Sequence, residues 1–251
     1  MLKGKKGLVL GISNDNSIAW ACARAMREAG ATLGGTWLND KARPYVEPLL
    51  QSLNAEIQLP LEVSNESQLE ALFEEVSQRW GKLDFLLHSI AFAPKADLHG
   101  RVVDSSLEGF LQAMDISCHS FIRMARLAEP LMKDGGSLMT MSYLGGQEVV
   151  PNYSIMGPVK AALESTVRYL AYELGEQGIR VNAISPGTIM TRAASGIASF
   201  DALVEENAQR APMGAVNIDD VGPLSVFLAS DGSRAITGGN IYVDGGFNIL
   251  N

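Results

Sequence analysis

The chain has 251 residues, 47% hydrophobic and 19% charged, which is enough for one α/β domain with a substantial core. Its formal net charge of -8 argues against a nucleic-acid-binding surface, which needs clustered Lys and Arg. Two cysteines, Cys22 and Cys118, form no framework, and His88, His99 and His119 lack metal-ligand spacing, so no metal is expected.

No run of 18 apolar residues is present, and the basic start Met1–Lys6 leads into a strand rather than a signal-peptide core, so a cytoplasmic protein without membrane insertion is expected. Lys6 to Leu10 reads as a strand and Ile18 to Ala29 as a helix closed by Gly30. Thr32 to Trp37 is a second strand, Arg43 to Leu53 a helix, and Ile57 to Leu61 a third strand. Ser64 is the expected N-cap of a helix reaching about Trp80. Leu83 to His88 is a strand, Gly109 to Ala128 one long helix, and Gly136 to Met141 a fifth strand. Tyr153 to Leu174 reads as helical, with Pro158 tolerated only in a first turn, so the regular helix should begin near Met156 or Gly157. Arg180 to Ile184, a helix over Asp219 to Ala229, and a strand over Asn240 to Val243 complete the pattern. Such alternation predicts a Rossmann-like, doubly wound parallel sheet of about seven strands with helices on both faces. Ligands of that fold bind at the carboxyl ends of the strands.

The residues after each strand suit a dinucleotide. Gly11, Ser17 and Ile18 lie where a pyrophosphate meets a helix N-terminus, although Ser17 serves equally well as a plain N-cap. Asn39 and Asp40 follow the second strand. A carboxylate there disfavours a 2′-phosphate, while Lys41 and Arg43 tolerate one, so NADH is expected and NADPH remains possible. Glu62 and Val63 end the third strand, and His88-Ser89-Ile90-Ala91 the fourth.

Tyr153 and Lys160 stand seven residues apart, two helical turns, with Tyr143 ten residues before Tyr153. An ammonium beside a phenol favours charge on the phenol and can also bind a sugar hydroxyl. Such a pair suits reduction of a carbonyl-bearing substrate.

Taken together, these segments resemble the short-chain dehydrogenase/reductase superfamily and, within it, the bacterial enoyl-acyl-carrier-protein reductases. The resemblance runs from about Gly4 to Phe247. It is carried by Gly11-x5-Ser17-Ile18-Ala19, His88-Ser89-Ile90-Ala91-Phe92-Ala93-Pro94, Ser142-Tyr143-Leu144-Gly145, Tyr153-x6-Lys160, Ala193-Ala194-Ser195-Gly196-Ile197 and Val243-Asp244-Gly245-Gly246-Phe247. Keto-reducing relatives carry a Ser thirteen residues before the Tyr, and that position is Thr140 here.

The resemblance implies catalytic roles for Tyr143, Tyr153 and Lys160. It implies cofactor contacts from Gly11, Ser17, Ile18, Glu62, Val63, Ile90, Lys160, Ile189, Met190, Thr191, Arg192 and Ala193. Substrate contacts fall to Ala93, Tyr143, Tyr153 and Met156, with Phe92, Ile197 and Phe200 as further lining of an apolar acyl pocket. A substrate-binding insertion is expected at about 188–212 of a single 1–251 domain. A homotetramer and an acyl-carrier-protein substrate carrier are also implied. The departures are Leu38 for a frequent Gln, Glu62 for Asp, Ala91 for Gly, and Ser185-Pro186-Gly187-Thr188 for Ser-Ala-Gly-Pro. Two alternatives stay open: a reductase of ketones or other activated alkenes using Thr140, and a non-enzymatic nucleotide sensor on the same fold.

Overall fold

The computed structural model describes residues 1–191 and 200–250. Strand β1 (Lys6–Leu10) is flanked by β2 (Thr32–Trp37) and β4 (Phe85–His88), and the whole sheet has the order β3-β2-β1-β4-β5-β6-β7. β3 is Ile57–Pro60, β5 Gly136–Met141, β6 Ile179–Pro186 and β7 Asn240–Val243, and every pairing is parallel. The strand order reverses between β1 and β4, which opens a crevice at their carboxyl ends.

Helices cover both faces because the strands are apolar on both. On one side α3 (Glu66–Trp80), α6 (Ser120–Ala128) and α7 (Met156–Leu174) bury Leu72, Phe121 and Leu163 against Leu86, Leu138 and Val181. On the other, α1 (Ile18–Glu28), α2 (Arg43–Ser52) and α9 (Ile218–Ala229) bury Met26, Leu50 and Val221 against Val9, Leu33 and Met139. Above the carboxyl edge lie α4 (Lys95–Leu98), α5 (Leu107–Met114) and α8 (Phe200–Arg210). Cys22 and Cys118 are both buried, and burial pushes the Cys22 thiol up to about 12, so it packs as a small apolar group.

Two local readings change. Asn65, not Ser64, caps α3: its side chain accepts from the Gln68 N–H, while Ser64 Oγ donates to Glu62. The helix expected over 109–128 is two helices joined by a π turn at Asp115–His119, a register change that the apolar pattern does not reveal. The expected start of α7 holds: it begins at Met156, as Pro158 requires, and Tyr153 stands at its entry rather than within the regular helix.

Candidate active site

A cavity of ≈ 210 Å³ sits at the switch point, walled by the segments following β1, β4, β5 and β6. Its nucleotide end is made mostly by backbone. Gly11 has φ +103, and a Cβ there would come within 2.0 Å of the Ser89 carbonyl oxygen, so only glycine lets these two loops meet. Ser17 is the N-cap of α1. Its Oγ donates to the Asn14 carbonyl at 2.8 Å and accepts from the Trp20 N–H at 3.4 Å, and it also lines the cavity. The N-cap reading of Ser17 is what the structure shows, at a position on the cavity wall.

A pyrophosphate fits this end, because the N–H groups of Ile18 and Ala19 in the first turn of α1 have no intrahelical acceptor. At the far end of the same cavity Lys160 supplies a buried cation. Ile90 and Ile189 line the space between, and Thr191 joins them. Met190 does not line it; its carbonyl accepts from Asn16 Nδ2 at 3.0 Å.

Glu62 and Val63 lie at the end of β3, off the cavity wall. Val63 is buried and its carbonyl accepts from Arg123 at 2.9 Å, while the Glu62 carboxylate accepts from Ser64. Arg192, Ala193 and Ile197 lie outside the described residues. After β2, Asn39 Oδ1 caps a turn by accepting from the Lys41 and Ala42 N–H groups. Arg43 is committed to Glu47 through two bonds of 3.1 and 2.8 Å and lies over the Trp37 ring.

The other end is built from side chains. Tyr143 and Tyr153 meet edge to face with ring centroids 4.8 Å apart, and both line the cavity with Lys160 and Met156. Gly145 makes room for this pair, since a Cβ there would lie 2.4 Å from Tyr153 Cδ1. The Tyr143 hydroxyl is hydrogen-bonded to Thr188 Oγ1 at 2.9 Å. Tyr153 makes no hydrogen bond through its hydroxyl among the described residues, which leaves that group available to a ligand.

Lys160, in the second turn of α7, donates from Nζ to the Met141 carbonyl at 2.6 Å. Burial pulls the Lys160 ammonium down to about 8, opposed by the charge of Glu164. The expected lowering of the Tyr153 pKa is not observed. Burial raises it, and the neighbouring Tyr143 and Glu164 raise it further, so Tyr153 stays a neutral phenol able to donate.

Thr140 lies elsewhere. It is wholly buried on β5, and its hydroxyl is hydrogen-bonded at 2.9 Å to Nδ1 of the buried His88, whose Nε2 is in turn 2.8 Å from Ser120 Oγ. Burial drives His88 down to about 3, so it is neutral. Neither residue reaches the cavity.

The apolar side of the cavity is lined by Phe92, Ala93, Met156 and Phe200. The π turn brings Ser117 under the Phe92–Ala93 loop, where its Oγ accepts from the Phe92 N–H at 2.9 Å and donates to the Phe92 carbonyl at 3.0 Å. Ser117, Thr188 and Glu164 are the residues that sequence reasoning missed. Thr188 sat inside a segment already recognised as unusual, while the other two carried no local signal. No cluster of His, Cys, Asp or Glu suited to a metal occurs among the described residues.

This sheet order, with a helix N-terminus at the switch point and a buried Tyr/Lys pair beyond it, defines a nicotinamide-nucleotide oxidoreductase of the short-chain dehydrogenase type. The family model described as enoyl-(acyl carrier protein) reductase matches residues 11–248. The chain is 44% identical over 251 residues to the NADH-dependent enoyl-[acyl-carrier-protein] reductase 1 of Rhizobium meliloti, covering 100% of this chain and 92% of that protein. A crystal structure of the Anaplasma phagocytophilum enoyl-acyl-carrier-protein reductase in complex with NAD superposes with TM-score 0.96 at 43% identity, covering 100% of this chain and 96% of that one. The Bacillus cereus enoyl-acyl-carrier-protein reductase, crystallised with NADP+ and an indole naphthyridinone, gives TM-score 0.97 at 43% identity, covering 100% and 98%. The chain belongs to the enoyl-acyl-carrier-protein reductase family.

Proposed function

We propose that this chain reduces the carbon–carbon double bond of trans-2-enoyl thioesters carried on acyl-carrier protein, with NADH as reductant, the last reductive step of fatty-acid elongation. The observation that carries this reading is a pairing of opposites. Tyr143 and Tyr153 face one cavity beside buried Lys160, whereas the hydroxyl at the ketone-reducing position, Thr140, is sealed against His88.

Bound in the crevice, the nicotinamide would supply a hydride to the β-carbon of the substrate. The chain's own residues handle the charge that follows. Tyr153 donates to the thioester oxygen as negative charge grows there, a contact stronger in the transition state than in the ground state. Lys160 grips the ribose hydroxyls through the ammonium hydrogens not used on Met141. Gly11, Ser17 and Ile18 hold the pyrophosphate, while Ile90 and the 189–193 segment flank the nicotinamide half. Glu62 and Val63 meet the adenine. Ala93 and Met156 contact the acyl thioester within a substrate segment spanning about 188–212. The exposed Asp40 carboxylate and the engagement of Arg43 by Glu47 favour NADH over NADPH.

A homotetramer in the cytoplasm completes the proposal. Support comes from Leu107 and Leu111 on α5 and Tyr169 and Tyr172 on α7, large hydrophobics left exposed on these two helices. Among the described residues no helix is long and apolar enough to cross a membrane.

Steady-state oxidation of NADH and NADPH in parallel, with a trans-2-enoyl thioester, tests the reading. Turnover with NADH at least several-fold faster than with NADPH is expected; absence of turnover with both would overturn it. Light scattering should give four copies, and a monomeric mass would remove the oligomer from the proposal.

A further inference from the structure

One heavily bonded buried carboxylate near the cavity belongs to no role described so far. Glu164, one turn after Lys160 on α7, is only 4% exposed. Its Oε1 accepts from Ser142 Oγ at the end of β5 and from Asn240 Nδ2 on β7 at 3.0 Å. Its Oε2 accepts from Gln147 Nε2 at 2.9 Å, and Gln147 Oε1 accepts from the Tyr242 hydroxyl at 2.7 Å. Gly146 has no side chain for good reason, since a Cβ there would come within 2.9 Å of Glu164 Oε1. The carboxylate thus ties the 142–147 segment, which carries Tyr143, to the helix that carries Lys160.

All three of these donors are neutral, so a full negative charge is buried with no cation within ion-pair distance among the described residues. Burying such a charge costs several kcal/mol unless something uses it. The neighbouring charge it can serve is Lys160, whose Nζ is likewise buried and bonded to a neutral carbonyl.

We propose that Glu164 is a positioning residue: its carboxylate clamps the Tyr143 segment to α7, and its charge keeps Lys160 in the ammonium form that grips the cofactor ribose. The proposal rests on the ribose role of Lys160. The titratable groups facing Lys160 are Glu164 on its own helix, Cys118 from the π turn and His88 from β4; Tyr153 and Tyr242 face Glu164. His88 is neutral and both tyrosines are protonated at working pH, so Glu164 is the one carboxylate of this group. Burial alone disfavours the ammonium, and Glu164 is the main force restoring it.

The test is NADH affinity, followed by fluorescence from pH 6 to pH 10 in the full-length protein, alongside kcat/KM for a trans-2-enoyl thioester. Wild type should bind NADH tightly below about pH 8 and weaken as Lys160 loses its proton. In Glu164→Gln the weakening should begin about one pH unit lower, a loss of up to about tenfold near pH 8 with near-normal affinity at pH 6. Gln147→Lys, at an exposed position, places an ammonium beside the Glu164 carboxylate and should move the limb the same way without endangering the fold. A folded Glu164→Gln or Gln147→Lys protein whose alkaline limb stays where the wild type has it would overturn the proposal, as would an equal loss of affinity at every pH. Failure of the enzymatic reading itself would show differently, as wild type binding NADH without enoyl turnover.

Discussion

The two halves of the crevice are built by different means. Around β1 the ligand surface is mostly backbone: a glycine with φ +103 and a capped helix N-terminus whose first N–H groups have no intrahelical acceptor. Around β5 and α7 it is side chains, with Tyr143, Tyr153 and Lys160 all largely withdrawn from water. A pyrophosphate is the same in every dinucleotide, so backbone donors suffice for it. A developing enolate needs a donor placed at one oxygen, and only a positioned side chain provides that.

The contrast makes ranked predictions. Tyr153→Phe should reduce kcat by about a hundred- to a thousandfold, on the order of 3–4 kcal/mol, while NADH affinity changes less than about twofold. A comparable loss in both would mean that Tyr153 binds cofactor rather than stabilising charge. Gly11→Ala should act in the opposite half and through the fold, because its Cβ would strike the Ser89 carbonyl. About 2–3 kcal/mol of stability should disappear in thermal melts, with NADH binding weakened alongside.

His88 predicts an acid sensitivity that belongs to the side-chain half. Unfolded, it takes up a proton near its ordinary 6.5, whereas the folded protein resists protonation down to about 3. Protonation therefore favours the unfolded state across that window, and stability should fall by on the order of 2 kcal/mol by pH 5. His88→Gln should flatten this part of the stability–pH curve; an unchanged slope would assign the loss to other groups. The smallest effect is expected at Thr188→Val, which frees the Tyr143 hydroxyl. A two- to fivefold drop in kcat/KM, or about 0.5–1 kcal/mol, would fit one neutral hydrogen bond.

Much of this was legible in the sequence, unevenly. The alternation of apolar runs and amphipathic stretches gave the succession of strands and helices because each element carries its own period. Pro158 marked the true start of α7, and the Tyr143–Tyr153–Lys160 spacing led to the cavity. What stayed hidden depends on partners distant in the chain. Nothing local to Thr140 says that His88, fifty-two residues earlier, takes its hydroxyl. Glu164 reads as an ordinary helix-surface residue until Ser142, Gln147 and Asn240 close around it. The environment of the Tyr153 phenol stayed hidden for the same reason. Burial, which a spacing argument does not see, raises the Tyr153 pKa.

The central claim is that this site stabilises charge on an enoyl thioester and has no hydroxyl free to polarise a ketone from position 140. Its most direct test compares NADH oxidation by wild-type protein with a trans-2-enoyl thioester and with a 3-ketoacyl thioester of equal chain length. The account predicts kcat/KM for the enoyl substrate at least about a hundredfold above that for the ketone. Equal or faster reduction of the ketone would contradict it.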